Sequence, residues 1–188
     1  MRPAVFLDRD GTVLEEAGYL DRLERLVFFP FAIDAIRLLN RGGFAVVIIT
    51  NQSGIGRGLY EESFVHEAHA VVDERVRAGG GRIDGYYYCP HHPNAEIERY
   101  RQQCDCRKPG PGMLRQASAD LDLDLARSFT VGDKWTDVQA GVAAGANGIL
   151  VRTGYGRSSE RSSRRPIEPI TVADDVIAAA AWILRHGR

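Results

Sequence analysis

The chain has 188 residues, 44% of them hydrophobic, and a formal net charge of −1. That length and apolar content suffice for one substantial core, so a single domain over residues 1–188 is expected, and no apolar stretch is long enough to cross a membrane. The near-neutral charge excludes a general basic field for nucleic acid, and an odd count of three cysteines without a signal-like amino terminus points to a reducing, cytoplasmic setting.

Ala4 to Leu7 form an apolar run that reads as a buried parallel strand. Asp8-Arg9-Asp10-Gly11-Thr12 follows at its carboxyl end, where open α/β sheets place their ligands. Gly11 permits a sharp turn. Because the chain is leaving the strand, Asp8 and Asp10 can diverge and take different tasks. One carboxylate can attack a phosphorus atom while the other manages the proton of the leaving or attacking oxygen. A plain acidic turn uses the same residues, so the motif needs support downstream. Residues 14–29 have room only for a flap or hairpin, and a helix is expected over Phe31 to Arg41.

A second apolar run, Phe44 to Ile49, ends in Thr50-Asn51-Gln52-Ser53-Gly54. Thr50 stands where Asp8 stood, and its hydroxyl can hold a phosphoryl oxygen while Asn51, Gln52 and Ser53 offer further donors. A helix over Glu61 to Ala78 carries a buried stripe of Phe64, Val65, Ala68, Val71, Val72 and Val76. That stripe leaves His66 and His69 as flank residues without a function. Gly79-Gly80-Gly81 stops this helix before a strand at Tyr86-Tyr87-Tyr88, whose aromatics read as packing.

All three cysteines fall in one loop of about residues 89–106, as Cys89-Pro90-His91-His92-Pro93 and Cys104-Asp105-Cys106. A Cys-x-His pair and a Cys-x-Cys pair match a closed structural zinc site of Cys89, His91, Cys104 and Cys106, with His92 as the alternative imidazole. Arg107 and Lys108 follow, and beside the acidic motifs Lys108 is the better candidate for neutralising a transferring phosphoryl group.

After a helix over Gly112 to Leu123, a third apolar run at 128–131 ends in Gly132-Asp133-Lys134, and Asp137 falls in the first turn of a helix expected over Thr136 to Ala144. Mg²⁺ is usually held by one or two protein carboxylates with substrate phosphate and water, and Asp8 with Asp133 supplies them. Asp137 either supports the site by hydrogen bonding or favours the helix amino terminus. The Arg/Ser-rich segment of about 152–166, with Arg157, Arg161, Arg164 and Arg165, reads as a flexible linker rather than an anion site, ahead of a last helix over Val172 to Arg185.

Strands alternating with helices give an α/β class: a doubly wound, mainly parallel, Rossmann-like sheet. Asp8-x-Asp10-Gly-Thr, Thr50, Lys108 and Gly132-Asp133, in that order, resemble the four motifs of the haloacid dehalogenase-like phosphatase superfamily over most of the chain. The resemblance implies that Asp8 is the nucleophile of an aspartyl phosphate, that Asp10 is acid and then base, and that Thr50 and Lys108 fix the phosphoryl group. It also implies Mg²⁺ on Asp8, the Asp10 carbonyl and Asp133. The interval lengths leave no cap domain, only a small flap.

With the zinc loop, the chain is similar to the subfamily of D-glycero-D-manno-heptose-1,7-bisphosphate 7-phosphatases and histidinol-phosphatase domains. That similarity implies substrate contacts from Arg107, Lys134 and the flap at Gly18-Tyr19. The expected activity is Mg²⁺-dependent removal of the 7-phosphate from the heptose bisphosphate. Histidinol-phosphate phosphatase is the alternative, and a non-catalytic phosphoacceptor module the more distant one. The expected partner is a small phosphorylated sugar, with neither nucleic acid nor membrane, and a monomer is the working expectation for a chain whose oligomeric state the sequence leaves open.

Overall fold

A computed structural model describes residues 1–163 and 165–187. Six parallel strands form one sheet in the order β3-β2-β1-β4-β5-β6: β1 (Ala4–Asp8), β2 (Ala45–Asn51), β3 (Gly85–Cys89), β4 (Phe129–Gly132), β5 (Asn147–Val151) and β6 (Thr171–Ala173). The strand order runs outward in both directions from β1. That reversal leaves a crevice at the carboxyl ends of the central strands, where doubly wound sheets bind ligands.

Both faces of the sheet are covered, which explains why β1 and β2 are apolar almost throughout instead of alternating. Val5, Leu7, Val46 and Ile48 face one core with α1 (Ala32–Arg41), α3 (Glu62–Ala78) and α7 (Val176–His186). Ala4, Phe6, Val47 and Ile49 face the other with α4 (Gly112–Leu121) and α5 (Trp135–Ala144). Helix α1 shows the cause: Ala32, Ala35, Ile36 and Leu39 recur at helical spacing and are all buried. Each fully buried Ile or Leu of such a stripe contributes about 1.5–3 kcal/mol.

Register carries the Cys/His loop to the crevice. Asn51 pairs with Cys89 across β2 and β3, and the Gln52 amide donates to the Cys89 carbonyl at 2.8 Å. The loop after β3 therefore starts beside the loop after β2.

Three expectations change. The last helix starts later than Val172, because Thr171–Ala173 forms β6 and Asp175 caps α7 by accepting from the Ala178 amide at 2.9 Å. His69 is buried rather than on the flank of α3, with its ring stacked on Tyr86 at 4.7 Å between centroids. The segment expected to be a flexible linker at 152–166 holds helix α6 (Gly156–Arg161). Arg152 anchors it by pairing with Glu160 and Asp174, whereas Arg164 lies outside the described residues. Between β1 and α1 there is no cap domain; a short flap is held by bridges from Leu14 to Asp10 and Phe28.

Candidate active site

Asp8 leaves β1 directly under the ammonium of Lys108, which lies 2.7 Å from Asp8 Oδ1 and 2.7 Å from Asp137 Oδ1 and donates to the Ile49 carbonyl at 3.0 Å. All three ammonium hydrogens are thereby used. Burial pulls the Lys108 pKa down, but Asp137 and Asp8 outweigh it and hold it above the ordinary lysine value. Burial lifts the Asp8 carboxyl well above its usual range; Lys108 opposes the shift and Asp137, Asp133 and Asp10 add to it. The site carries more negative charge than one ammonium offsets. Asp137 is thus a clamp on Lys108, and its other oxygen accepts from the Lys134 amide at 3.0 Å.

Thr50, at the end of β2, is buried, and its hydroxyl lies 3.5 Å from Asp10 Oδ2. Gln52 spans the same group, donating to Asp10 Oδ2 at 3.1 Å and to Thr50 Oγ1 at 2.8 Å while accepting from the Tyr60 hydroxyl at 2.9 Å. Burial raises the Asp10 pKa, yet the charge and hydrogen bonds of Arg9 prevail and set its carboxyl below the usual range. Asn51 commits both ends of its amide to the Lys108 backbone and still lines both cavities described below. Ser53 begins a single helical turn, α2 (Ser53–Gly56), and lines the cavity described below.

Asp133 directly follows β4, fully buried. Its Oδ2 accepts from the Tyr155 amide at 2.7 Å, while its Oδ1 is buried without a hydrogen-bond partner. A buried carboxylate oxygen left unpaired is costly, and a cation resolves it. Ligand oxygens of Asp8, Asp133 and Asp137 lie within 4.8 Å of one another. Since both Asp137 oxygens are engaged, Asp8 and Asp133 are the groups that fit a divalent ion. Burial pushes the Asp133 carboxyl up to about 6. A methyl group at Gly11 or Gly154 would overlap the Asp133 carboxylate, so these two glycines, both at positive φ, let the backbone close around it.

Gly154 and Tyr155 belong to the segment read as a linker. Thr153 donates to the Gly11 carbonyl at 2.7 Å and Ser159 to the Asp133 carbonyl at 2.9 Å, so this loop braces the acidic cluster. One signal was available: the loop follows Ile149-Leu150-Val151, another apolar run that ends at the same edge of the sheet.

The four expected zinc ligands converge. Cys106 Sγ lies 3.1 Å from both Cys89 Sγ and Cys104 Sγ and 3.3 Å from His91 Nδ1, and Cys89 Sγ lies 3.5 Å from Cys104 Sγ. Such spacings suit the edges of a small tetrahedron around one ion and exclude a disulfide. His92 turns away to accept from the Asn94 amide at 3.0 Å. Arg107 donates to the His91 carbonyl at 3.1 Å, tying the end of the loop to its beginning.

Two adjoining cavities share Asp10, Lys108 and Lys134. The smaller, about 60 Å³, is lined by Asp8, Thr50 and Asp137; the larger, about 450 Å³, by Gly18, Tyr19, Gln52, Arg107 and Tyr155. Lys134 lies 3.2 Å from Glu16 Oε2 and 4.6 Å from the centre of the Tyr155 ring, and Glu16 accepts from the Gly18 amide at 2.8 Å. The flap therefore meets the core through Lys134. A separate cavity of about 810 Å³, around Leu59, Arg99 and Tyr100, holds none of the motif residues.

The HAD-hydrolase-like family matches residues 105–179. D-glycero-beta-D-manno-heptose-1,7-bisphosphate 7-phosphatase of Escherichia coli K12 is 44% identical over 183 residues, covering 97% of this chain and 88% of that protein. D-glycero-D-manno-heptose-1,7-bisphosphate 7-phosphatase of Thermosynechococcus vestitus is 43% identical over 190 residues, covering 98% and 97%. The crystal structure of D,D-heptose 1,7-bisphosphate phosphatase from B. bronchiseptica, complexed with magnesium and phosphate, superposes with a TM-score of 0.86 at 33% identity, covering 97% of this chain and 98% of that one.

Proposed function

Because the chain belongs to the heptose-1,7-bisphosphate 7-phosphatases of the haloacid dehalogenase-like hydrolases, we propose that it hydrolyses the 7-phosphate of D-glycero-D-manno-heptose 1,7-bisphosphate. It is a phosphoric monoester hydrolase, and the whole chain serves as one phosphatase domain. The observation that carries the substrate is the cationic lining of the larger cavity. Arg107 and Lys134 join Lys108 around a space of about 450 Å³ that opens from the Asp8 compartment. A substrate with a second phosphate finds two further cations there. Histidinol phosphate, whose far end is itself cationic, meets like charge instead.

Asp8 attacks the phosphorus of the 7-phosphate, the bond to the sugar oxygen breaks, and Asp10 gives that oxygen its proton. Water then attacks the aspartyl phosphate as Asp10 takes a proton from it, and the Asp8–phosphorus bond breaks to release inorganic phosphate. The resting Asp10 is ionised, as a base should be. The arriving phosphate dianion raises its pKa and so favours the protonated form needed for the first step. Thr50 holds one non-bridging oxygen, and the Lys108 hydrogen that pairs with Asp8 turns to another as Asp8 takes up the phosphoryl group, while Asp137 keeps Lys108 aimed. A Mg²⁺ ion held by Asp8, Asp133 and the Asp10 carbonyl would supply the remaining neutralisation of phosphoryl charge. Cys89, His91, Cys104 and Cys106 would hold a Zn²⁺ ion with four protein ligands, and the ion would stiffen the loop that carries Arg107 and Lys108. That metal site needs reduced thiols, which suits a reducing compartment, and no helix among the described residues is long and apolar enough to cross a membrane.

Phosphorus NMR of the heptose bisphosphate incubated with protein and Mg²⁺ tests the reaction. The expected result is loss of the 7-phosphate resonance with the 1-phosphate retained. Release of the 1-phosphate sinks the assignment.

A further inference from the structure

Arg9 has no task in the mechanism above, yet its side chain is 1% exposed and is the bulkiest of the fully buried ones. A buried guanidinium is costly unless it is paired and hydrogen-bonded, so a turn needing only filler would use an apolar residue. Arg9 forks onto Asp10 instead. Its Nε donates to Asp10 Oδ1 and Oδ2 at 3.1 and 3.2 Å, and its second terminal nitrogen donates to Oδ2 at 2.9 Å.

On its far side the remaining terminal nitrogen of Arg9 lies 3.4 Å from His69 Nε2. A protonated imidazole would set two buried cations in contact, so Nε2 is the accepting nitrogen. His69 in turn stacks on Tyr86 at an interplanar angle of 25°, which fixes the ring between α3 and β3. The chain Tyr86–His69–Arg9–Asp10 thus runs from the packed interior to a carboxylate that faces the catalytic cavity.

The planar fork fixes the plane of the Asp10 carboxylate as well as its position. Proton transfer requires that control, because the carboxyl must lie within hydrogen-bond reach of the oxygen it serves. Enzymes with a closing cap can set such a group on closure; here no cap domain lies among the described residues, and the short flap meets the core through Lys134 rather than through the Asp10 carboxylate. We propose that Arg9 is a positioning residue, a clamp braced by His69 and Tyr86 that aims the Asp10 carboxylate for proton transfer in this open site. The proposal rests on the reading of Asp10 as acid and base.

Arg9→Lys keeps the charge and removes the fork. The test is kcat/KM, which reports phosphorylation of Asp8, for phosphate esters whose leaving groups range from nitrophenol to a simple alkyl alcohol. Leaving groups that need no proton should be spared. The expected loss is at least about thirtyfold for the alkyl ester and less than about threefold for nitrophenyl phosphate, within the range that general acid catalysis supplies. An equal loss for both esters, or none, overturns the clamp, since a merely structural defect does not select by leaving group. Asp10→Asn separates the two readings: equal loss for both esters there overturns the acid–base assignment and the clamp with it. Selective loss in Asp10→Asn without selectivity in Arg9→Lys overturns the clamp alone. Should Arg9→Lys fail to fold, His69→Phe keeps a ring on Tyr86 and removes the acceptor. It should give the same selectivity at about three- to tenfold, and its absence is equally decisive.

Discussion

Asn51 holds Lys108 by both backbone groups: the Lys108 amide donates to Asn51 Oδ1 at 3.1 Å, and Asn51 Nδ2 donates to the Lys108 carbonyl at 3.1 Å. The same Asn51 is the register partner of Cys89, the first thiol of the Cys/His cluster. One residue therefore joins the end of β2 to the beginning and the end of the Cys/His loop. Lys108 is positioned by a strand, a loop and a carboxylate at once.

Asn51→Leu removes this grip and leaves two backbone groups unpaired, which costs about 2–4 kcal/mol of stability. Turnover should fall at least about tenfold in protein that still unfolds cooperatively. Steady-state kinetics beside urea unfolding checks this. Unchanged kcat would mean that Lys108 is held well enough by Asp137 and Asp8.

Asp8→Asn should reduce turnover by at least about a thousandfold and leave no phosphoenzyme after a rapid acid quench. Stability moves the other way. Because burial raises the Asp8 pKa, its ionised form is disfavoured in the fold at neutral pH. Asn removes that penalty, and Lys108 keeps Asp137 and the Ile49 carbonyl. The thermal midpoint of metal-free protein at pH 7 is expected to rise; a fall would show that the Asp8–Lys108 pair outweighs the crowding of carboxylates.

Cys104→Ser, or stripping of the loop metal with a chelator, should act on binding more than on chemistry. The loop sets Arg107 through the His91 carbonyl, whereas Lys108 retains its clamps. KM for the bisphosphate should rise about tenfold with kcat within about threefold, and the thermal midpoint should drop. Metal analysis of untreated protein should find one zinc per chain, and none would remove this account of the loop.

His69 gives a pH signature. Burial, and then the Arg9 charge, lower its pKa to about 3 from an ordinary value of 6.5. The folded state thus binds fewer protons than the unfolded state between these values, so stability is complete above 6.5 and falls as the pH drops toward 3. From pH 7 to pH 5 this amounts to about 2 kcal/mol. Urea unfolding of His69→Phe at both pH values should show a correspondingly smaller loss than the parent protein. Parallel losses would mean that His69 charges freely in the fold.

Much of the site was legible because each strand end is marked by an apolar run stopping at a polar group: Asp8, Thr50 and Asp133 all stand where that rule places them. The Cys/His cluster was legible because thiol and imidazole spacing is local. Less visible were residues whose task depends on a distant partner. Arg9 and His69 lie sixty positions apart and look like a turn cation and a helix flank until β3 brings Tyr86 beneath the ring. Asn51 offers the same amide to a substrate or to Lys108, and the partner it takes lies 57 positions along the chain. The segment after β5 was misread because Arg, Ser and Gly suit a linker as well as a loop that wraps Asp133, with Gly154 chosen for close approach. Composition reports solvation, whereas position at the sheet edge reports function.

Side-by-side kcat/KM values for D-glycero-D-manno-heptose 1,7-bisphosphate and histidinol phosphate, in the same Mg²⁺ buffer, test the central claim most directly. With Arg107 and Lys134 lining the cavity, the bisphosphate should be preferred by at least about a hundredfold. Equal or faster turnover of histidinol phosphate contradicts the account.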